Sequence, residues 1–339
     1  MRRVSAQSLI WALAILLPVA ALVSMTVGTV NISLADTLSA VVGNSVSQQT
    51  DTILFDIRLP RILLAIFVGA VLASTGAVMQ GLFRNPLADP SLIGVSSGAS
   101  VGASLMIVTA GSFIQSGALV GLSLVAVGAF VGGFAATLLV YRLATSGIGT
   151  SVTTMLLAGI AIGALAGALN SLLSYFSDND MLRQISLWQM GNLSGASWLK
   201  VSIMGAVAIF LMLLFPRESK ALNALLLGES EARHLGIDVQ RVKRRLIILT
   251  ALGVGVSVAL AGLVGFVGLI MPHIVRLVIG PDHRWLVPGS ALAGATLLVI
   301  ADSLARIVVI PAELPTGILT ALLGAPFFVA LLLKQRKDV

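Results

Sequence analysis

Long apolar runs separated by short polar turns constrain this chain more than any other feature. A run of about 20 apolar residues crosses a ~30 Å hydrocarbon core as a helix. Lipid offers no hydrogen-bond partners, so such a run must satisfy its own backbone. In chain order, spans fall at 9–28, 61–82, 91–109, 118–141, 152–175, 198–215, 246–270, 286–305 and 316–333, with a short apolar segment at 271–279. At 1.5 Å per residue that segment covers only ~14 Å and needs shielding by protein if it crosses. Arg2 and Arg3 before the first run resemble a signal peptide, but the run is too long and contains Pro18, so it reads as an uncleaved span.

Composition agrees. Of 339 residues, 57% are hydrophobic and 10% charged, against roughly 25% charged in soluble domains. The expectation is an all-α polytopic membrane protein forming one transmembrane domain over 1–339. With no cysteine there is no disulfide or thiolate metal site, and three histidines, two near span ends, do not make a metal centre. The net charge of +7 lies mainly in loops and reads as topology and anionic-lipid contact, not nucleic-acid binding. If 271–279 crosses, there are ten spans and both termini are cytoplasmic. Fifteen Lys and Arg residues then lie inside and five outside, as the positive-inside rule requires. The 34 glycines favour closely packed helices; Gly128/Gly132 and Gly159/Gly163/Gly167 form small-residue faces. A faint echo of 76–99 in 262–295 fits inverted repeats.

Residues 216–245 break the pattern as a hydrophilic island with seven basic residues. Ser219 is placed to cap a short helix with Leu222, Leu225 and Leu226 on one face, and Gly228 to stop it. Ser230 is placed to cap a second short helix ended by Gly236, and Asp238 to cap the next long one. Two short helices outside the hydrocarbon suit docking of a soluble partner; the plainer reading is a solvated loop.

Chemistry is sparse. There is no phosphate-binding loop with its lysine and no hydrolytic set. Asp302, His273 and Arg276 are the ionisable residues near or within spans; hydrogen bonding between helices or snorkelling accounts for them, as it does for Asn170. Two other classes compete with a pathway driven through the island. A secondary transporter powered by an ion gradient would have only Asp302 to work with, and a membrane anchor for a soluble enzyme would leave the glycine-rich spans unexplained.

Five motifs appear in order: Arg58-Leu59-Pro60-Arg61, the stretch from Gln80 to Pro90, that from Leu227 to Gly236, that from Gly265 to His273, and Glu313-Leu314-Pro315-Thr316-Gly317. Together they resemble the permeases of type II ABC importers, which move iron-siderophores, haem and cobalamin, and the resemblance covers nearly the whole chain.

The resemblance implies ten spans per subunit and a homodimer around a central pathway in the bacterial inner membrane. It also implies two separate ATPase subunits that carry ATP and Mg, and a periplasmic binding protein; this chain holds no cofactor or metal. Leu225, Leu226, Gly228, Glu229, Glu231, Ala232, Arg233, Leu235 and Gly236 become the ATPase-coupling segment, although Glu231 to Gly236 is one residue short of the Glu-Ala-Ala loop of other importers. Arg58, Arg61 and Arg306 fall where family arginines meet the binding protein, a role suited to exposed charge. Ser151, Thr153 and Thr154 lie near the cytoplasmic gate, with Asn170 further along the same pathway span. Leu187–Leu193 with Trp198 looks more like haem permeases than cobalamin ones, so haem is expected first, then a ferric siderophore or cobalamin.

Overall fold

The computed structural model describes residues 5–44, 46–110, 118–147 and 149–337, and these are almost entirely helical. In order they form α1 (Ala6–Thr26), α2 (Leu34–Val41), α3 (Gln48–Thr52), a π-helical turn (Ile53–Arg58) running into α4 (Leu59–Leu82), α5 (Val95–Thr109) and α6 (Ala118–Ala144). A two-strand hairpin, β1 (Thr145–Ser146) with β2 (Gly149–Thr150), leads to α7 (Val152–Tyr175), α8 (Asn179–Gln189) and α9 (Trp198–Leu214). Then come α10 (Ser219–Leu225), α11 (Glu229–His234), α12 (Val239–Ala261), α13 (Val267–Ile279), α14 (His283–Ala305) and α15 (Thr316–Lys337).

Among the described residues, seven helices are long and apolar enough to cross a membrane; α5, α13 and the 316–330 part of α15 are shorter apolar helices. Each apolar segment of the sequence is one of these. Arg2 and Arg3 lie outside the described residues, as do the side chains of Lys334, Arg336 and Lys337.

The bundle is built around α4, whose apolar window is 78% buried, against 11% for α1 and 22% for α7. Helices α9, α12, α13 and α14 pack on it. Contact with α14 is backbone to backbone: a Cβ on Gly69 would stand 2.4 Å from the Gly294 carbonyl oxygen. Close approach of this kind replaces the hydrophobic drive that is missing between helices in lipid. Gly102 and Gly128 do the same between α5 and α6, where a Cβ on Gly102 would meet the Gly128 oxygen at 2.0 Å. The α7 stripe is only partly used. Gly159 abuts the Leu92 carbonyl, whereas Gly167 faces open space.

Two spans differ from the sequence reading. The stretch expected as one span over 246–270 breaks at 262–266, between Gly262 (φ 71°) and Phe266 (φ 66°). The Ala261 carbonyl, near the end of α12, accepts from the Asn192 N–H at 2.8 Å instead of from a continuing helix. The span expected at 91–109 starts with a 3₁₀ turn, Pro90–Ile93, before α5 proper, because Pro90 and left-handed Gly94 (φ 85°) interrupt it. The polar external segments carry short helices of their own, including α8, capped by Asp178.

Candidate functional site

The island has the two-helix form read from its sequence, with different caps. Ser219 is the first residue inside α10, not its cap, and its buried hydroxyl has no partner among the described residues. Likewise α11 starts at Glu229 with Gly228 as its cap, so Ser230 lies inside it. Gly228 adopts φ 139°, ψ 157°, a region open essentially to glycine alone. Gly236 (φ 80°) ends α11; its N–H donates to the Arg233 oxygen and that of Ile237 to the Ala232 oxygen, the paired closure of a helix C-terminus. Asp238 caps α12 by accepting from the Arg241 N–H at 3.0 Å. Leu222, Leu225 and Ala232 are buried and hold the pair to the bundle, while Leu226 lies at the edge of that face. Leu227 and Leu235 are 68% and 63% exposed, beside exposed Glu231 and Arg233. Exposed apolar side chains and charge thus lie together on two ordered short helices.

Polar contacts fasten the island at two places. Asn223 in α10 donates to Asp282 at 2.6 Å, and its oxygen accepts from the His283 N–H at 2.9 Å and meets His283 Nδ1 at 2.8 Å. Burial alone would raise the Asp282 carboxyl. The bonds from Asn223 and the Arg284 N–H, with the nearby charges of Arg284 and His283, bring it below the ordinary carboxylate value. On the other side Lys243, 2% exposed, donates to Glu229 at 2.6 Å and to the Thr150 carbonyl at 2.9 Å. Gln240 accepts from the Thr150 N–H at 2.9 Å.

Thr150 ends the hairpin, and Ser151 follows as the N-cap of α7, accepting from the Thr154 N–H and hydroxyl at 3.3 and 3.0 Å. Ser151, Thr153 and Thr154 are exposed on this chain. Asn170 makes hydrogen bonds between helices, the use that its place in an apolar span suggested. Its amide donates to Ser100 Oγ at 3.1 Å and its oxygen accepts from Ser104 Oγ at 2.7 Å, so it joins α7 to α5.

At the opposite end Arg58, Arg61 and Arg306 are 5%, 5% and 3% exposed, less open than the exposed charge expected of them. Arg58 donates to the Met25 and Val30 carbonyls, and Arg306 to the Ser24 and Val27 carbonyls and the Ser24 hydroxyl. Carbonyls left open at the end of α1 draw these guanidiniums inward. Arg61 meets Asp302 at 2.9 Å and Glu313 at 2.6 Å; Asp302 also lies 3.4 Å from Arg306 and accepts from Thr316 at 2.9 Å. The sequence carries part of this signal in the Asp302/Arg306 spacing of four along one helix. The long-range partners, Arg61 and Glu313, leave no local trace. His273 also departs from expectation: among the described residues neither ring nitrogen has a hydrogen-bond partner, and the ring packs against Phe327 instead.

Similarity to known proteins points one way. Residues 16–334 match the model of the FecCD transport family. The chain is 44% identical over 336 residues to the hemin transport system permease protein HmuU of Yersinia pestis, covering 99% of this chain and 98% of that one. It is also 44% identical over 295 residues to the vitamin B12 import system permease protein BtuC of Salmonella arizonae, covering 87% of each. A solved inward-facing metal-chelate-type ABC transporter superposes with a TM-score of 0.84 at 34% identity, over 97% of this chain and 99% of that one.

Proposed function

The chain belongs to the FecCD transport family and is a transport component, not an enzyme; from that premise we propose that it is the permease of an ATP-driven importer carrying haem. The observation that carries the cargo assignment is the full-length likeness to a hemin permease. It is supported by the haem-permease-like segment Leu187–Leu193. Leu187, Trp188 and Asn192, with Gln184 and Lys200, line a cavity of about 280 Å³ at the end remote from the island. Cobalamin is the second reading, favoured by the BtuC likeness, and a ferric siderophore the third. The ion-coupled alternative loses its one carboxylate, because Asp302 is held by Arg61 and Arg306.

In this reading the protein is a multi-pass component of the bacterial inner membrane, one transmembrane domain with ten crossings and both termini cytoplasmic. Two copies enclose the pathway; the exposed apolar residues of α7 and α15, such as Leu157, Ile160, Leu165, Leu322 and Val329, supply the faces for a second copy and for lipid. Two ATPase subunits, which bind the ATP and Mg, dock on the coupling segment from Leu225 to Gly236, and a periplasmic binding protein delivers cargo to the opposite end. Ser151, Thr153 and Thr154 form the cytoplasmic gate. This chain holds no cofactor or metal. Arg58, Arg61 and Arg306 brace that end of the bundle with Asp302 and the α1 carbonyls and meet the binding protein there.

Reconstitution into vesicles with its ATPase and binding protein tests the assignment. ATP-dependent accumulation of haem, with cobalamin left outside, is expected. Cobalamin uptake without haem uptake would transfer the cargo assignment, and uptake unaffected by loss of the ATPase would end the importer reading.

A further inference from the structure

Lys243 is the buried cation joining three separate pieces of chain at the island. It lies in the second turn of α12, is 2% exposed, and donates both to Glu229, the first residue of α11, and to the Thr150 carbonyl, the last residue of the hairpin. An ammonium is buried only where acceptors are fixed around it. Here the two acceptors belong to different elements. Gln240, three residues earlier and so on the same helix face, binds the Thr150 N–H, so α12 grips both backbone groups of that residue. A Cβ on Gly149 would stand 2.4 Å from the Gln240 amide nitrogen, so hairpin and helix side chain are in close contact here. Thr150 is joined directly to Ser151, the cap of α7.

We infer that Lys243 is the positioning residue that makes α11, α12 and the hairpin move as one unit, so that a displacement of the coupling helix is delivered to the head of α7. The inference rests on the importer reading above. Lys243 neither touches cargo nor faces the ATPase; it acts through Glu229 and Thr150. Coupling between sites needs such a connected element whose position both ends bias.

The test uses the assembled complex carrying Lys243→Met or Lys243→Gln, the second keeping a hydrogen-bond donor without the charge. Both variants are expected to keep the ATPase subunit bound and to hydrolyse ATP, while cargo moved per ATP falls about tenfold in Lys243→Met and less in Lys243→Gln. The chain has no cysteine, so a nitroxide on Gly147→Cys, at the exposed hairpin tip, reports hairpin motion alone. Its spectrum should respond to ATP in the otherwise wild-type complex and not in Lys243→Met. Wild-type cargo per ATP with an unchanged nitroxide response in Lys243→Met overturns the inference. If that variant does not fold, Lys243→Gln decides, and full coupling in it overturns the inference. Failure of the unaltered chain to retain an ATPase subunit at all would instead remove the importer reading.

Discussion

Asp302 ties together the end of the bundle opposite the island, because it serves Arg61, Arg306 and Thr316 at once. Removing one partner of a buried pair strands the other charge at a cost of about 3–5 kcal/mol. Asp302→Ala should therefore unfold markedly earlier in detergent melts, and a wild-type melt would show that the network is idle. The double change Arg58→Glu, Arg61→Glu should act in the same way, lowering folded yield more than it lowers binding-protein affinity in the surviving fraction. At the other end, Asp282 is held below the ordinary value of 3.8. A depressed carboxylate contributes stability above its ordinary value and loses it as pH falls through its lowered one. Acid melts below about pH 4 should thus narrow the gap between wild type and Asp282→Asn. A constant gap across that range would assign the effect to packing alone.

At the scale of elements, backbone contact sets which helices stay together. Gly102→Leu should force α5 from α6, since a Cβ there already meets the Gly128 oxygen at 2.0 Å, whereas Gly167→Leu enters open space. Fluorescence-detected size exclusion should show aggregation for the first and a native peak for the second; native peaks for both would contradict the packing. Gly128 and Gly167 were visible as members of stripes in the sequence, but the used and unused members of the α7 stripe look alike there, because only a neighbour distinguishes them. The split of the island is different. Gly228 in a conformation reserved for glycine makes the two short helices a local property, legible from sequence, while their caps depended on how α10 met the bundle. Deleting 229–235 should leave the bundle folded and abolish recovery of the ATPase subunit; stoichiometric recovery would place docking elsewhere.

For the whole molecule, the outer helices expose too much apolar surface for water, and the central helix exposes almost none. That gradient is what a helix bundle in lipid requires. Light scattering of the detergent complex, corrected for bound detergent, should return two copies of this chain, and a single copy would overturn the dimer. The buried side of α4 against α14 and α13 supplies the frame on which both ends are organised, with arginines and carboxylates closing one and the hydrogen-bonded island closing the other.

The sequence by itself determined the apolar segments, the hydrophilic island with its glycine punctuation, and the family. Each is written in residues close together, through hydrophobic run length, turn chemistry and motif order. Only the tertiary structure decided that the arginines are buried, that the seventh span is broken, and that Lys243 ties the island to the hairpin. The partners concerned are far apart in the chain: Arg61 and Asp302 are separated by 241 positions, and Lys243 and Thr150 by 93. A charge read in isolation is equally fit to face water or a partner, and which it does depends on acceptors that only the packed bundle brings within reach.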